Sequence, residues 1–425
     1  MKLSSSTKSF RIARIGLALA VFAAPVGAQE HKSQPVRFTV TDLGTLGGTY
    51  SQAFLLNNEG FVGGTASLPD GTQHAVLWRN GRIRDLGTLG GPNSIAFGSP
   101  NERGQIVGEA ETSITDPNGE DFCGFLALGD PSSGTCQAFL WQDGVMTPLP
   151  ALGDSRDRKQ KNSAANWINN RGAAVGTAEN DVTDLTCPGR SISPQVLEFK
   201  PVIWEEGQVR ELPTFRNEDG DSDPDGVAFA INDRGQVVGA SGRCTTFNTN
   251  STQTYLVGLH ALLWHHGRAT DLGNLGGTGP GGGNVAVGIN NQGQVVGSSY
   301  LSDGTTFHGF LWTEDTGMKD LSTLLGDQLS AALGVNDRGD VVGISLGISP
   351  NGSVNPRAFF WRNGTMTDLN TLIPAGSPLL LIQACSINSR GELIGLAVET
   401  SSGELHGFLA IPKPSDNDER PTSAE

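Results

Sequence analysis

Positive charge is scarce in this sequence, which limits the partners that the protein can have. The 425 residues include 29 Lys and Arg against 44 Asp and Glu, for a formal net charge of −15 at pH 7. A surface of that sign repels phosphate backbones and anionic lipids. Binding to nucleic acid or to a membrane surface is therefore disfavoured.

Long apolar runs and several functional motifs are also missing. Beyond the N-terminal region no stretch approaches the ~18 apolar residues of a spanning helix, so no membrane span is predicted there. Neither H-E-x-x-H nor C-x-x-C occurs. The glycine-rich stretch 276–284 joins two predicted strands, whereas a phosphate-binding loop needs a helix behind it. No nucleotide site is indicated.

The N-terminus has the three parts of a secretory signal. Lys2, Lys8, Arg11 and Arg14 form a cationic head, and an apolar run and the small residue Ala28 follow. The run is shorter than a spanning helix requires, which makes a membrane anchor the weaker alternative. We predict cleavage near Ala28 and export to the periplasm or the medium. Removal of the four basic residues would leave a net charge of −19.

Asparagine and glycine recur at a fixed spacing along the chain. The pattern N-x-x-G-x-x-x-G occurs seven times, starting at Asn57, Asn101, Asn169, Asn232, Asn290, Asn336 and Asn388. Short β-branched stretches flank each copy, which predicts a hairpin whose Asn opens the turn by bonding its own backbone. The first Gly is expected to adopt a positive φ, and the second to mark a bulge or a close approach of two backbones.

Two further predicted strands follow each hairpin. The third ends at Trp78, Trp141, Trp204, Trp264, Trp312, Trp361 and, in the last copy, Ala410. The fourth ends in an acidic residue before Leu at Asp85, Glu211, Asp271, Asp320 and Asp368, and in Pro148 in the second copy. Four short strands per unit are typical of a β-propeller blade, in which the shared Trp would pack between blades.

The two ends of the repeat region complement each other. The last unit lacks a fourth strand, and the stretch RFTVTDLG at 37–44 supplies one at the N-terminus. Pairing of 37–44 with 406–412 would close a seven-bladed ring and leave no exposed sheet edge. The alternative is an open β-solenoid, which would need distinct capping units. We therefore predict an all-β fold, a single seven-bladed β-propeller with four-stranded blades.

The predicted organisation follows from this ring. A signal peptide (1–28), a short linker (29–36), the propeller (37–412) and a disordered charged tail (413–425) succeed one another. The blades are predicted at about 49–90, 91–152, 153–214, 215–274, 275–323, 324–371 and 372–412, the last with 37–44. Room is short near the axis, which fits Ala53, Ala165, Ala228, Ala286, Ala332 and Ala384 on the first strands. In the second unit Ala96 lies one residue further from the turn, and Pro100 directly precedes the turn Asn. This departure predicts a bulge.

The repeats resemble a known family. The stretch before the Trp (HAV, QAF, HAL, HGF or RAF), the hairpin INDRGQVVG at 231–239 and the link DLGTLGG at 42–48 and 85–91 are similar to the HAF family of bacterial extracellular repeats. The similarity covers about 37–412. It implies export and a repeat fold, and it brings no catalytic residues because no activity is assigned to the family.

One loop has the composition of a calcium site. In NEDGDSDPDG at 217–226, the carboxylates of Asp219, Asp221, Asp223 and Asp225 alternate before a Gly, as at the start of a calcium-binding loop. Pro224 departs from that pattern. The alternative is a solvated acidic surface loop. Calcium is the one cofactor that the sequence suggests.

Histidine and cysteine give further expectations. One His per blade shares an equivalent position, at His74, His260, His308 and His406, which excludes a compact metal cluster and favours packing or a hydrogen bond. In an oxidising compartment we expect a Cys123–Cys136 disulfide, and Cys187 and Cys244 could meet in adjacent blades. Cys385 replaces an apolar residue of other copies and is expected to be a buried free thiol.

Three long insertions break the symmetry of the repeats. They follow the second strand of units two, three and four, at about 110–136, 177–199 and 241–259. The leading hypothesis is that this face binds an extracellular polymer or protein, and that the chain is a monomer. The alternative is an exported polysaccharide hydrolase or lyase with Glu120, Asp121 or Asp184 as acid and base. A third possibility is a structural surface protein without a discrete site.

Overall fold

A computed structural model describes residues 36–413, except 99, 126–133, 154–160, 187–194, 246–254 and 278–282, and gives only the backbone at 244, 245 and 255–259. The described residues form seven four-stranded antiparallel sheets, arranged as the blades of a β-propeller. The predicted fold is therefore confirmed. Among these residues no helix is long and apolar enough to cross a membrane.

In six blades the four strands neighbour one another in chain order from the axis outward, and in the seventh the N-terminal strand lies outside the last three strands of the chain. The first three blades contain β2 (Ser51–Leu56), β3 (Val62–Ser67), β4 (Gln73–Arg79), β5 (Arg82–Asp85), β6 (Gly90–Ala96), β7 (Ile106–Thr115), β8 (Gly134–Gln142), β9 (Val145–Pro148), β10 (Ser163–Ile168), β11 (Ala174–Thr183), β12 (Leu197–Glu205) and β13 (Gln208–Glu211).

The remaining four blades follow the same plan. They contain β14 (Asp225–Ile231), β15 (Val237–Thr245), β16 (Tyr255–His265), β17 (Arg268–Asp271), β18 (Val285–Ile289), β19 (Val295–Tyr300), β20 (Phe307–Thr313), β21 (Gly317–Asp320), β22 (Leu329–Val335), β23 (Val341–Ile348), β24 (Val354–Arg362), β25 (Thr365–Asp368), β26 (Leu379–Ile387), β27 (Leu393–Glu399) and β28 (Leu405–Pro412). A short 3-10 helix, Leu369–Thr371, follows β25.

The N-terminal strand closes the ring. β1 (Phe38–Asp42) pairs antiparallel with β28, from Phe38 opposite Pro412 to Asp42 opposite Phe408. Phe38 is almost fully buried and contacts the ring of Phe360 edge-on, with 6.0 Å between the ring centroids. The first and last strands of the repeat region therefore complete one blade together, as the sequence predicted.

Each hydrophobic core cluster lies between two neighbouring blades. One of them joins Ala75 and Leu86 of the first blade to Ile106, Phe139 and Trp141 of the second. Five of the six repeat tryptophans are buried in this way, at Trp78, Trp141, Trp204, Trp264 and Trp361. The expectation that this position packs between blades is confirmed.

The two repeat glycines have different structural roles. The first adopts a positive φ in all seven turns, between 72° and 89°. The second lies opposite the shared Ala, and a Cβ on Gly297 would fall 1.8 Å from the carbonyl oxygen of Val285. In six blades the register shifts directly after that Ala. In the second blade β6 ends at Ala96 instead, with a register shift nearer its start.

The seven turn asparagines form a ring of hydrogen bonds around the axis. Each Oδ1 accepts from two backbone amides of its own turn, as the sequence predicted. Each Nδ2 also donates to a backbone carbonyl of the next blade, at 2.8 to 3.2 Å. Six of these carbonyls belong to the next turn Asn, and the seventh is that of Pro100, because the second unit has one extra residue.

We expect Asn290→Ala to lower the free energy of unfolding by about 2 kcal/mol, because it leaves buried backbone groups of two blades without a partner. Asn290 is buried, accepts from the amides of Gln292 and Gln294, and donates to the Asn336 carbonyl. Thermal denaturation would measure the loss. Gln292→Ala, an exposed change in the same turn, is the matched control. An equal effect of the two changes would contradict the structural role of the ring.

Candidate binding face

Strand order divides the loops between two faces of the propeller. Loops from the second to the third strand and from the fourth strand to the next blade emerge on one side, which we call the insertion face. The Asn turns and the turns between the third and fourth strands lie on the other, the turn face. The three insertions extend β7, β11 and β15 at the insertion face, as the sequence predicted.

A disulfide fixes the base of the second blade's insertion. Cys123 and Cys136 are bonded, with 5.5 Å between their Cα atoms, so this predicted bridge is confirmed. Cys187 lies outside the described residues and only the backbone of Cys244 is described, so their pairing stays a prediction. Cys385 is free, its residue is partly exposed, and enclosure of the thiol raises its pKa to about 12.

Glu120 ties the insertions of the second and third blades together. One carboxylate oxygen accepts from the backbone amide of Val196 at 2.5 Å. The other accepts from Asn118 at 3.1 Å and lies 3.4 Å from Asn162 Nδ2, while the side chain shares a hydrogen bond with Glu179. Two carboxyl groups can share a hydrogen bond only if one of them is protonated. These contacts join the described parts of the two insertions.

Burial shifts the titration of these carboxyl groups. It raises the pKa of Glu120, and the nearby charge of Asp116 adds to that shift. It also raises the pKa of Glu179, and the charge of Glu120 adds to that shift. Burial also raises the pKa of Glu109 to about 8, and the nearby charges of Asp121 and Glu111 add to the shift. Glu109 lies beside the disulfide, with Oε2 3.7 Å from Cys136 Sγ. Those sulfurs are bonded to each other and are not metal ligands.

The three residues predicted as acid or base are not assembled for catalysis. Glu120 and Asp184 are buried, with 1% and 3% of their surface exposed, and Asp121 is partly exposed. Glu120 is bonded as described above, and Asp184 accepts from the amide and hydroxyl of Thr186. A general acid must reach the substrate atom that it protonates. The geometry therefore gives the hydrolase hypothesis little support.

One sequence pattern of hydrolases is present but misplaced. GISLG at 343–347 fits G-x-S-x-G, the strand-to-helix turn that exposes a nucleophilic serine. Ser345 instead lies within β23, is fully buried and accepts from the amide of Leu324 at 3.1 Å. It is a structural serine that joins a linking loop to its blade.

The repeated histidines form pairs with the acids that end the fourth strands. The Nδ1 atoms of His74, His260, His308 and His406 lie 2.7 to 3.1 Å from the carboxylates of Asp85, Asp271, Asp320 and Asp42. Burial of Asp271 would raise its pKa, but hydrogen bonds from His260 and the Gly273 amide bring it below its usual range. The expected hydrogen bond is confirmed, and the four pairs are spread around the ring.

The structure does not gather the four predicted calcium ligands into one set. Asp225 is buried in β14 and accepts from the amide of Phe199. Asp223 accepts from the Ser241 hydroxyl at 2.7 Å, whereas Asp219 and Asp221 are exposed. No three of these carboxylates have oxygens within 4.8 Å of one another in the described loop. Calcium binding here stays a prediction.

Exposed aliphatic side chains concentrate on the insertion face. Among the described residues, seven of the nine large hydrophobic side chains that are exposed lie there: Ile114, Val182, Leu185, Leu325, Ile348, Val354 and Leu380. They form two groups, one on blades two and three and one on blades six and seven. Val145 and Ile411 are the two at the turn face. This asymmetry was not visible in the sequence, because it depends on which strand ends share a face.

The turn face holds a cavity of about 360 Å³ on the axis. The ring asparagines and the residues beside them line it, including Glu102, Asp233 and Asp337. These neighbours bond from blade to blade, since the Asp233 and Asp337 carboxylates accept the amides of Asn170 and Asn291. Many polar groups that line the cavity therefore already form hydrogen bonds between adjacent blades.

Comparison with known proteins finds similar solved structures but no family. No family model matches the chain, and no curated protein matches it. Solved structures similar to it include a puromycin-hydrolyzing peptidase of Mycobacterium tuberculosis, at 11% identity and TM-score 0.43, covering 87% of this chain and 56% of that one. Another is dipeptidyl peptidase 4 of Porphyromonas gingivalis, at 10% identity and TM-score 0.32, covering 84% and 51%.

The chain spans about half the length of these two structures. Likeness at this level carries no argument about peptidase activity, because one fold hosts many unrelated functions. The resemblance to HAF repeats stays a prediction from the sequence.

Proposed function

We propose that the protein is an exported binding module, of the HAF repeat type, whose insertion face engages a partner molecule. The observation that carries the proposal concerns the part of the chain that the structure describes: seven of its nine exposed aliphatic side chains lie on that face. Single exposed hydrophobic residues are normal on a protein surface, whereas their concentration in one region marks an interaction site.

The contacts among the described parts of the insertions support binding rather than catalysis. The disulfide fixes one insertion at its base, and Glu120 joins it to Val196 in the next. A surface that is ordered before it meets its partner loses less conformational entropy on binding. The buried carboxyl groups hold this surface in place.

Removing apolar surface from the third blade tests the proposal. The protein would be screened against arrays of glycans and peptides, together with the variant Val182→Ser/Leu185→Ser. We expect the molecules bound by the native protein to bind the variant about tenfold more weakly. Val145→Ser, an exposed valine on the turn face, is the matched control and should bind normally.

Two outcomes would overturn the proposal. Turnover of any glycan or peptide by the native protein would favour the enzyme hypothesis. Binding that is unchanged in Val182→Ser/Leu185→Ser and in Ile348→Ser/Val354→Ser would exclude the insertion face. Because all four side chains are exposed, these changes should leave the melting temperature nearly unchanged.

A further inference from the structure

Carboxylates end the fourth strands at the insertion face. Six of the seven fourth strands finish there in an acidic residue: Asp42, Asp85, Glu211, Asp271, Asp320 and Asp368. The second-to-third-strand loops add exposed acids such as Asp70 and Asp303. This periodic placement follows from the repeat, so acidic residues end the fourth strand in every blade except the second.

Several basic side chains at this face form ion pairs with carboxylates of the same face. Lys161 pairs with Asp181, and Lys200 lies 2.8 Å from Glu198. Arg357 lies 2.8 Å from Asp327 and also contacts the carboxylate that ends β25. Four of the strand-ending carboxylates also lie against histidines. Among the described residues, the carboxylates of Asp219 and Asp221 have no basic partner.

The turn face carries charges of both signs. Five of its seven Asn turns present an exposed arginine, at Arg103, Arg171, Arg234, Arg338 and Arg390, and exposed acids such as Glu102 and Asp337 lie in the same turns. The acidic excess therefore lies on the insertion face, which also exposes the aliphatic residues. Complementary charge steers association and selects between partners.

The acidic loop of the fourth blade offers carboxylates that have no structural task. Backbone and amide contacts within the turn, such as the Asp221 amide to Asn217 Oδ1 at 2.8 Å, hold its shape. In the described structure the carboxylates of Asp219 and Asp221 make no hydrogen bond or ion pair, and both residues are exposed. They can therefore accept a cation from a partner.

We infer that the insertion face binds a cationic polypeptide segment whose lysines or arginines alternate with apolar residues. The inference rests on the proposed function and names its partner class. A metal ion would need carboxylates gathered within a few ångströms, whereas these are spread over several blades. An acidic polysaccharide would be repelled, and a basic segment with apolar side chains meets both features of the face.

The test uses three short synthetic peptides, built from lysine and leucine, from glutamate and leucine, and from lysine and serine. Affinity would be measured by calorimetry with the full mature chain. We expect the lysine–leucine peptide to bind, and each of the others to bind at least about tenfold more weakly. Its affinity should fall as salt rises, since screening shortens the reach of exposed charges to ~10 Å at 0.1 M.

A matched pair of variants locates the charge effect. Asp219→Asn/Asp221→Asn on the insertion face should weaken binding of the lysine–leucine peptide several-fold. Glu314→Gln/Asp315→Asn removes the same charge from an exposed turn of the opposite face and should leave it unchanged. Equal losses in the two variants would show a general charge effect and overturn the inference.

The outcomes separate this inference from the proposed function. The lysine–leucine and glutamate–leucine peptides could bind equally well to the native protein and more weakly to Val182→Ser/Leu185→Ser. That result would overturn the cationic partner but would leave the insertion face as the binding site. If no change on the insertion face affects binding, both are wrong. Absence of binding by the lysine–leucine peptide, together with binding of a neutral glycan at this face, would also overturn the inference alone.

Discussion

Removal of residues 36–45 should abolish cooperative folding of the propeller. Without β1, the backbone groups of β28 become an open sheet edge and the last blade loses one of its four strands. A smaller change tests the same contact. Phe38→Ala should lower the free energy of unfolding by about 3–5 kcal/mol, the usual cost of truncating a buried phenylalanine.

Thermal and denaturant unfolding would measure both effects. Thr39→Ala, an exposed change on the same strand, is the matched control and should have little effect. Removal of 414–425, which lies outside the described residues, provides a second comparison. Unchanged melting temperatures after removal of 36–45 would contradict ring closure by the N-terminal strand.

The second large effect is a loss of stability as pH rises. The pKa of Glu109 is raised from 4.5 to about 8, chiefly by burial and then by Asp121 and Glu111. A carboxyl group shifted in this direction contributes its full stabilisation below pH 4.5 and loses it as pH rises through 8. The free energy of unfolding should therefore fall by roughly 1.4 kcal/mol per pH unit for this group within that window.

Glu109→Gln should flatten this part of the pH profile, because the amide stays neutral. Between pH 5 and pH 8.5, the free energy of unfolding should therefore fall less in the variant than in the native protein. The raised pKa values of Glu120 and Glu179 act in the same direction and leave a residual slope. Glu218→Gln, in an exposed loop, is the control. If the free energy of unfolding of the native protein stays constant or rises between pH 5 and 8, the pKa values of these groups are not raised and the prediction is wrong.

The repeat made the fold predictable. Each hairpin contains the turn Asn, the positive-φ Gly and the close-approach Gly. The local structure of every repeat could therefore be predicted from its own residues. The missing fourth strand of the last unit then determined how the ring closes. Local chemistry that agrees with global topology in every copy leaves few alternative folds.

Contacts between blades could not be predicted in the same way. The sequence showed that each Asn bonds its own turn, but the acceptor of its Nδ2 lies in the next blade, 43 to 68 positions along the chain in six cases. The contacts of Glu120 are a second example. Its partners Glu179 and Val196 belong to another insertion, so the local sequence does not show that this carboxyl group is buried against them.

If the insertion face is the binding surface, a bound peptide should protect its backbone amides. Hydrogen–deuterium exchange would be measured on the protein with and without the bound lysine–leucine peptide. We expect slower exchange at 184–186 and 217–222, and unchanged exchange in the turn-face segments 143–146 and 314–317. Protection of the Asn turns around the axial cavity, with no change at the insertion face, would contradict binding at that face.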